Sequence, residues 1–331
     1  MPASVVFGPV PSRRLGLSLG VDLVPYKTCS FDCVYCECGK TTCLTHSRKM
    51  FIDTDVVINE LKTFLDKNHE LEIITFSGSG EPTLASNIGQ IISFLKSHYP
   101  QYPIALLTNA SLFDRPEVRQ ELLDLDIVIP SLDSATESVF QQINRPAKGL
   151  HINKIINGIK AFRKEFKNQL IIEVFIIPSI NDNISELTHF KKELTEIRPD
   201  KIQLNTLDRP GTEPWVRGAT LEELTSIMSF LQPLNVEIIS KVTSSTLQKS
   251  ESNSQFDSQS KSKSLASLKA GKSLYGRILD TVARRPCTKE DLSEMLGIDT
   301  REISKYLAVL LSKNQIEAVR EKRGVFYKQT L

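Results

Sequence analysis

The stretch TCSFDCVYCECGKTTC, residues 28–43, holds five of the six cysteines of this 331-residue chain: Cys29, Cys33, Cys36, Cys38 and Cys43. The sixth, Cys287, lies far downstream. A disulfide framework spreads its bridges over a small secreted domain, whereas thiols crowded into one segment of a large chain hold metal or do redox work. Cys29, Cys33 and Cys36 are spaced C-x3-C-x2-C. Three thiolates on one loop can hold three irons of a cubane and leave the fourth iron open to a nitrogen and an oxygen of a ligand. The same cysteines with Cys38 or Cys43 would also supply the four thiolates of a structural zinc site, although the paired C-x2-C knuckles of many such sites are missing. Cys38 and Cys43 are too few for a second cluster and read as structural thiols beside the loop. Cys287 reads as a small buried hydrophobe.

Working outward, the cysteine loop follows an apolar run, LSLGVDLV (17–24). Further runs are LEIITFS (71–77), YPIALLT (102–108), LDIVIPS (125–131), LIIEVFII (170–177) and KIQLNT (201–206). They are continuously apolar or β-branched, as strands buried on both faces are. Amphipathic segments at 53–67, 85–98, 115–123, 151–166, 184–196 and 220–231 alternate with them, with Asp53, Thr54 and Asn183 as candidate caps. The pattern predicts an α/β fold with a full or partial (β/α)6 parallel barrel over 1–242. In such folds functional residues stand on loops at the C-terminal ends of strands. Those loops carry SGSGEPTL after the second run, Thr108-Asn109 after the third and Ser131-Leu132-Asp133-Ser134 after the fourth. Glycines in the first of these let backbone approach a ligand closely.

The charge is uneven: −5 over 1–240, +3 over 241–270 and +4 over 271–331. Residues 243–272 are rich in Ser, Lys and Gln and nearly free of aromatics, which predicts a flexible linker. Beyond it, SLYGRILDTVARR, TKEDLSEMLG and DTREISKYLAVLLSKN read as three helices. Cys287 opens the second, Thr288 caps it and Gly297 stops it. QIEAVREKRGVFYKQ reads as a hairpin turning at Gly324. That order is a winged helix-turn-helix over 273–331. No apolar run approaches the ~20 residues that span a bilayer, and the N-terminus has no secretory pattern, so the expected place is the cytoplasm with no membrane contact.

The motif C-x3-C-x-aromatic-C, with Tyr35 as the aromatic, resembles the radical S-adenosylmethionine (SAM) superfamily. SGSGEP resembles that superfamily's Gly-Gly-Glu-Pro loop, with Ser79 in place of one glycine. The resemblance implies a 4Fe–4S cluster on Cys29, Cys33 and Cys36. It also implies that Gly78, Ser79, Gly80 and Glu81 grip the SAM amino group. Asn109, Ser131 and Asp133 would face the ribose or methionine end. SLDS…VFQQINRP is similar to the enzyme that cyclises GTP for molybdenum cofactor, which sets Arg145 against the SAM carboxylate; the alternative is a surface arginine before a turn. Glu173, inside an apolar strand, either points into the site or forms a structural ion pair. Asn205, Arg209 and Trp215, with Arg13 and Arg14, are substrate-side candidates.

Over residues 7–217 the chain looks like a group of Fe–S oxidoreductases related to the wyosine-forming tRNA enzymes. This implies that a flavodoxin or ferredoxin supplies an electron, SAM is cleaved, and a 5′-deoxyadenosyl radical takes hydrogen from a substrate. Three readings stand open. The substrate is a macromolecule such as tRNA, or it is a peptide or small metabolite, or the chain is a cluster-bearing, SAM-sensing DNA-binding regulator. Lys289, Arg301, Lys305, Lys322 and Arg323 of the small domain are candidates for phosphate contacts, with protein recognition as the alternative.

Overall fold

The computed structural model describes residues 4–12, 14–67, 70–239, 274–321 and 324–330. The expected linker at 243–272, Arg13, Lys322 and Arg323 lie outside the described residues.

Eight strands form the main sheet: β1 Val6–Ser12, β2 Gly16–Val21, β5 Ile73–Phe76, β6 Ile104–Thr108, β7 Ile127–Pro130, β8 Gln169–Ile176, β9 Lys201–Thr206 and β10 Val236–Ile238, in that spatial order. From β2 to β10 every pairing is parallel, while β1 returns antiparallel along β2. The sheet ends at β1 and β10 rather than closing, which is a partial barrel. All six strands expected from the apolar runs are present. The two edge strands were not expected. β1 carries Pro9 and Pro11, and proline removes a ladder donor, so it sits in a sheet only at an edge. β10 is three residues long, too short for a periodic signal.

The connecting helices are α1 Thr54–Leu65, α2 Ile88–His98, α3 Pro116–Glu121, α4 Glu137–Ile143, α5 Ile152–Glu165, α6 Ile184–Ile197 and α7 Leu221–Phe230. Asp53 accepts from the N–H of Asp55 and Asn183 from that of Glu186, as their side-chain oxygens allow at an N-cap. The segment 115–123 yields only the six residues of α3. α4, a seven-residue helix starting three positions after SLDS, was not expected because one apolar face of two residues gives too little period to read. Leu19, Val21, Ile74, Phe76, Leu106, Ile172 and Leu204 fill the barrel layer. Phe113, Phe162 and Phe166 stack under the helices. Burying each such side chain stabilises by about 1.5–3 kcal/mol.

The C-terminal unit runs α8 Leu274–Arg284, β11 Cys287–Thr288, α9 Lys289–Leu296, α10 Thr300–Ser312, β12 Ile316–Glu321 and β13 Gly324–Gln329. Its three-stranded sheet has the order β11-β13-β12. Ile278, Val282, Leu292, Ile303, Leu307 and Leu310 make a core of its own. Cys287 is buried but lies in β11, paired with Tyr327, not in the second helix. Thr288 and Asp291 form a capping box, and Gly297 ends α9 at φ +65°.

This unit touches the barrel. Arg284 stands 3.5 Å from Asp22, donates to the carbonyl of Ser4 at 3.2 Å and lies 4.2 Å over the ring of Phe7. Arg209 of the loop after β9 stands 3.6 Å from Asp291 of α9. Among the described residues no helix is long and apolar enough to cross a membrane.

Candidate active site

The cysteine loop leaves the C-terminal end of β2 and is laced to its surroundings by backbone bonds. Thr28–Cys29 (β3) pairs in parallel with Cys43–Leu44 (β4). Asp32 N–H donates to Asn144 O at 3.0 Å, Val34 N–H to Ile143 O at 2.9 Å, and Ala147 N–H to Ser30 O at 2.9 Å. The turn that follows α4 therefore holds the loop along its length. Cys29, Cys33 and Cys36 are half-buried free thiols. Each sulfur receives a nitrogen donor from a different side chain: Asn109 Nδ2 on Cys29 at 3.6 Å, Asn144 Nδ2 on Cys33 at 3.5 Å, and Lys27 Nζ on Cys36 at 3.0 Å.

The three thiols differ in acidity. Burial, with Glu81 nearby, pushes Cys29 up to about 12. Burial and Asp133 push Cys33 up as well. Cys36 is lowered, first by a hydrogen bond with Cys38 and then, against its burial, by Lys27. A thiol lowered in this way is thiolate at pH values where its neighbours are still protonated. In the metal-free protein at pH 7, iodoacetamide is therefore expected to label Cys36 before Cys29 or Cys33, read by peptide mass spectrometry. Equal labelling of the three would contradict the arrangement.

The residues present fit a cubane. A cubane takes each thiolate on a separate iron, and three thiols from one loop, each facing a donor, suit that demand. Cys38 lies beside Cys36, while Cys43 is exposed on β4 rather than packed under the loop.

The loop after β5 packs onto the base of the cysteine loop. Asp22 Oδ2 accepts from both N–H and Oγ of Ser79, each at 3.0 Å. A Cβ at Gly78 would fall 2.1 Å from the Asp22 carboxyl carbon, and one at Gly80 would fall 2.0 Å from the Thr28 carbonyl oxygen. The glycines are needed for loop-to-strand contact. Glu81 was expected to receive the SAM ammonium. Its carboxylate takes Thr83 N–H at 3.0 Å, Thr83 Oγ1 at 2.6 Å, Thr108 Oγ1 at 2.6 Å and Asn109 N–H at 2.8 Å. Three of these donors meet Oε1 and one meets Oε2, which keeps an acceptor site. Glu81 thus fastens the loop to the end of β6, with burial pushing its carboxyl above the usual range.

Tyr35 stacks on Phe175 at 3.9 Å and donates its hydroxyl to Asp133. Asp133 also accepts from Asn144 Nδ2 at 2.9 Å and Phe175 N–H at 3.1 Å, and burial raises its carboxyl. It is a hub joining the cysteine loop, the end of α4 and β8. Ser131 lies at the end of β7, bridged to Glu173 of β8. Glu173 pairs with Arg14 and accepts from Asn205 Nδ2 at 3.3 Å, the structural ion-pair alternative. Arg145 pairs with Glu213 at 2.5 Å rather than presenting a free cation. Arg209 is buried between Glu37 and Asp291, at 3.8 and 3.6 Å, so its guanidinium joins the two parts of the chain. Trp215 is 50% exposed.

Three residues of this site were missed by sequence reasoning: Lys27, Asp22 and Asn144. Lys27 stands two positions before Cys29 and Asn144 one before Arg145, so adjacency to a motif was their only signal.

The Radical SAM superfamily model matches residues 23–190. The UPF0026 protein MJ1312 of Methanocaldococcus jannaschii is 37% identical over 252 residues, covering 76% of this chain and 77% of that one. The GTPase Obg of Brachyspira hyodysenteriae is 38% identical over 227 residues, but the chain spans only 33% of its length. The probable dual-specificity RNA methyltransferase RlmN of Thermotoga maritima is 24% identical over 63% of this chain and 60% of its own. The fold is shared with a radical SAM methyltransferase from Sphaerobacter thermophilus, at TM-score 0.52 and 15% identity, over 67% of this chain and 66% of that one.

Proposed function

The chain belongs to the radical SAM superfamily and, within it, to the UPF0026 proteins; from that premise we propose that it cleaves SAM reductively and takes a hydrogen atom from an RNA substrate, tRNA being the first candidate. The observation that carries the first half is the juxtaposition of two loops. The C-x3-C-x2-C loop and the loop 78–81 meet at Thr28, where Glu81 N–H donates to its carbonyl at 3.1 Å. A 4Fe–4S cluster and SAM are the cofactors of this family, and Cys29, Cys33 and Cys36 would hold the cluster. Bound there, the cluster would supply the one-electron reduction of SAM, with a flavodoxin or ferredoxin as the source of the electron. The protein's own part is placement and exclusion. Asp22 and Glu81 fix the loop 78–81 from behind. Asp133 and Asn144 fix the cysteine loop, and the stacked Tyr35 and Phe175 wall it off.

Two things support RNA: the distant likeness to an RNA methyltransferase and the resemblance to wyosine-forming enzymes. The C-terminal unit has the element order of a winged helix, and Lys289, Arg301 and Lys305 are exposed on its α9 and α10. We read it as an RNA-docking module, acting in the cytoplasm. Reconstituted full-length protein, given SAM and dithionite, is expected to release 5′-deoxyadenosine several-fold faster with total small RNA. Ribonuclease treatment of that RNA is expected to remove the gain, and Arg301→Glu with Lys305→Glu to reduce it. Stimulation by a peptide or metabolite fraction instead would favour the small-substrate reading. Cluster-dependent binding to specific DNA, with no SAM cleavage, would favour the regulator.

A further inference from the structure

We propose that Lys27 is a positioning residue for the cluster: its buried ammonium, donating to Cys36, raises the reduction potential of the 4Fe–4S centre above what three neutral-capped cysteines would give. This rests on the assignment of the cluster to Cys29, Cys33 and Cys36.

The donors on the three sulfurs are unequal. Cys29 and Cys33 face the neutral amides of Asn109 and Asn144, and Cys36 faces a cation. Lys27 is 2% exposed, unusual for lysine, which almost always keeps its head in water. A buried charge persists only when an opposite charge meets it. The group that meets this ammonium is the sulfur of Cys36, at 3.0 Å, with the Cys38 and Cys29 thiols nearby. Its backbone is held with equal care. Lys27 adopts φ +53°, a left-handed conformation that costs energy for a side chain of this kind. Its carbonyl accepts from Thr42 N–H and Cys43 N–H, each at 3.1 Å. The strand pair that carries Cys29 thus fixes the lysine that serves Cys36.

The physical consequence concerns electrons. Reduction adds one negative charge to the cluster. A fixed cation at hydrogen-bond distance from a ligand sulfur favours the reduced form more than a neutral amide does, because net charge and hydrogen bonds to sulfur set cluster potentials. A packing role for Lys27 would leave the potential unmoved.

The test is an anaerobic redox titration of the full-length reconstituted protein, followed by electron paramagnetic resonance, without SAM. Lys27→Met is expected to shift the reduction equilibrium at least tenfold toward the oxidised cluster, about 59 mV for one electron. Lys27→Arg, which keeps the charge, should stay within about half of that shift. Iron and sulfide are counted on every sample. Where Lys27→Met does not load, Lys27→Gln is titrated in its place with the same expectation. A fully loaded Met or Gln variant with the wild-type midpoint would overturn the proposal. So would an Arg variant that falls as far as Met. Wild-type protein that takes up no cluster on the three cysteines would fail at an earlier step, sinking the cluster assignment and this proposal with it.

Discussion

Cys33→Ala protein, treated with iron and sulfide under argon, is expected to bind less than one-hundredth of the wild-type cluster and to release no 5′-deoxyadenosine from SAM. Changing a residue that merely supports a metal ligand costs about 10–100-fold in metal affinity, so removing a ligand exceeds the upper end. Cys33 is also closely tied into the site. Asn144 donates to its sulfur and to Asp133, and the next residue, Val34, is bonded to the end of α4. The checks are iron content and chromatography of the reaction products. Cys43→Ala is the control: that thiol is exposed on β4, and its loss should leave cluster and products unchanged. Full cluster binding by Cys33→Ala would refute the ligand assignment.

Gly80→Ala is expected to be the most damaging substitution outside the cysteines. The added Cβ would lie 2.0 Å from the Thr28 carbonyl oxygen and 2.7 Å from Val24 Cγ2. One of these is backbone and cannot rotate away. The loop must lift, and Glu81 N–H then loses its bond to that same oxygen. Overpacking costs about 1–3 kcal/mol, and an orphaned buried donor about 1–3 more. A total of about 2–6 kcal/mol follows, visible as a lower midpoint in urea melts of the metal-free protein. The displaced segment is the loop 78–81, so equilibrium dialysis of the reconstituted variant should find SAM bound at least about tenfold more weakly, as 1.4 kcal/mol is tenfold. Wild-type stability and SAM binding in this variant would mean that the two loops do not meet.

The strands of the barrel were legible because burial on both faces writes itself as unbroken apolar runs, as in Ile73–Phe76 and Ile127–Pro130. The edge strands were not, since β1 contains prolines and β10 has only three residues. Motif positions were legible for the same topological reason: loops at the strand ends fall at predictable places. What each side chain touches was not. Glu81 and Asp133 carry polar atoms suited to a ligand, and both also bond neighbours that only the fold brings close. Arg145 and Glu213 are 68 residues apart, and no local pattern announces such a pair. Lys27 and Asp22 read as ordinary polar residues until burial gives their charges meaning.

Asp22 has a consequence in time as well as in space. One of its oxygens serves Ser79 twice and faces Arg284 at 3.5 Å, across 262 positions of sequence. Burial raises this carboxyl, while Ser79 and Arg284 draw it back down. On a ribosome adding about 5–20 residues per second, the aspartate is made roughly 13 to 50 seconds before its arginine. During that interval a nascent barrel carries the anchor of its loop 78–81 without the countercharge that the last part of the chain brings. The finished electrostatics of the site thus wait on a segment made 262 positions after the aspartate.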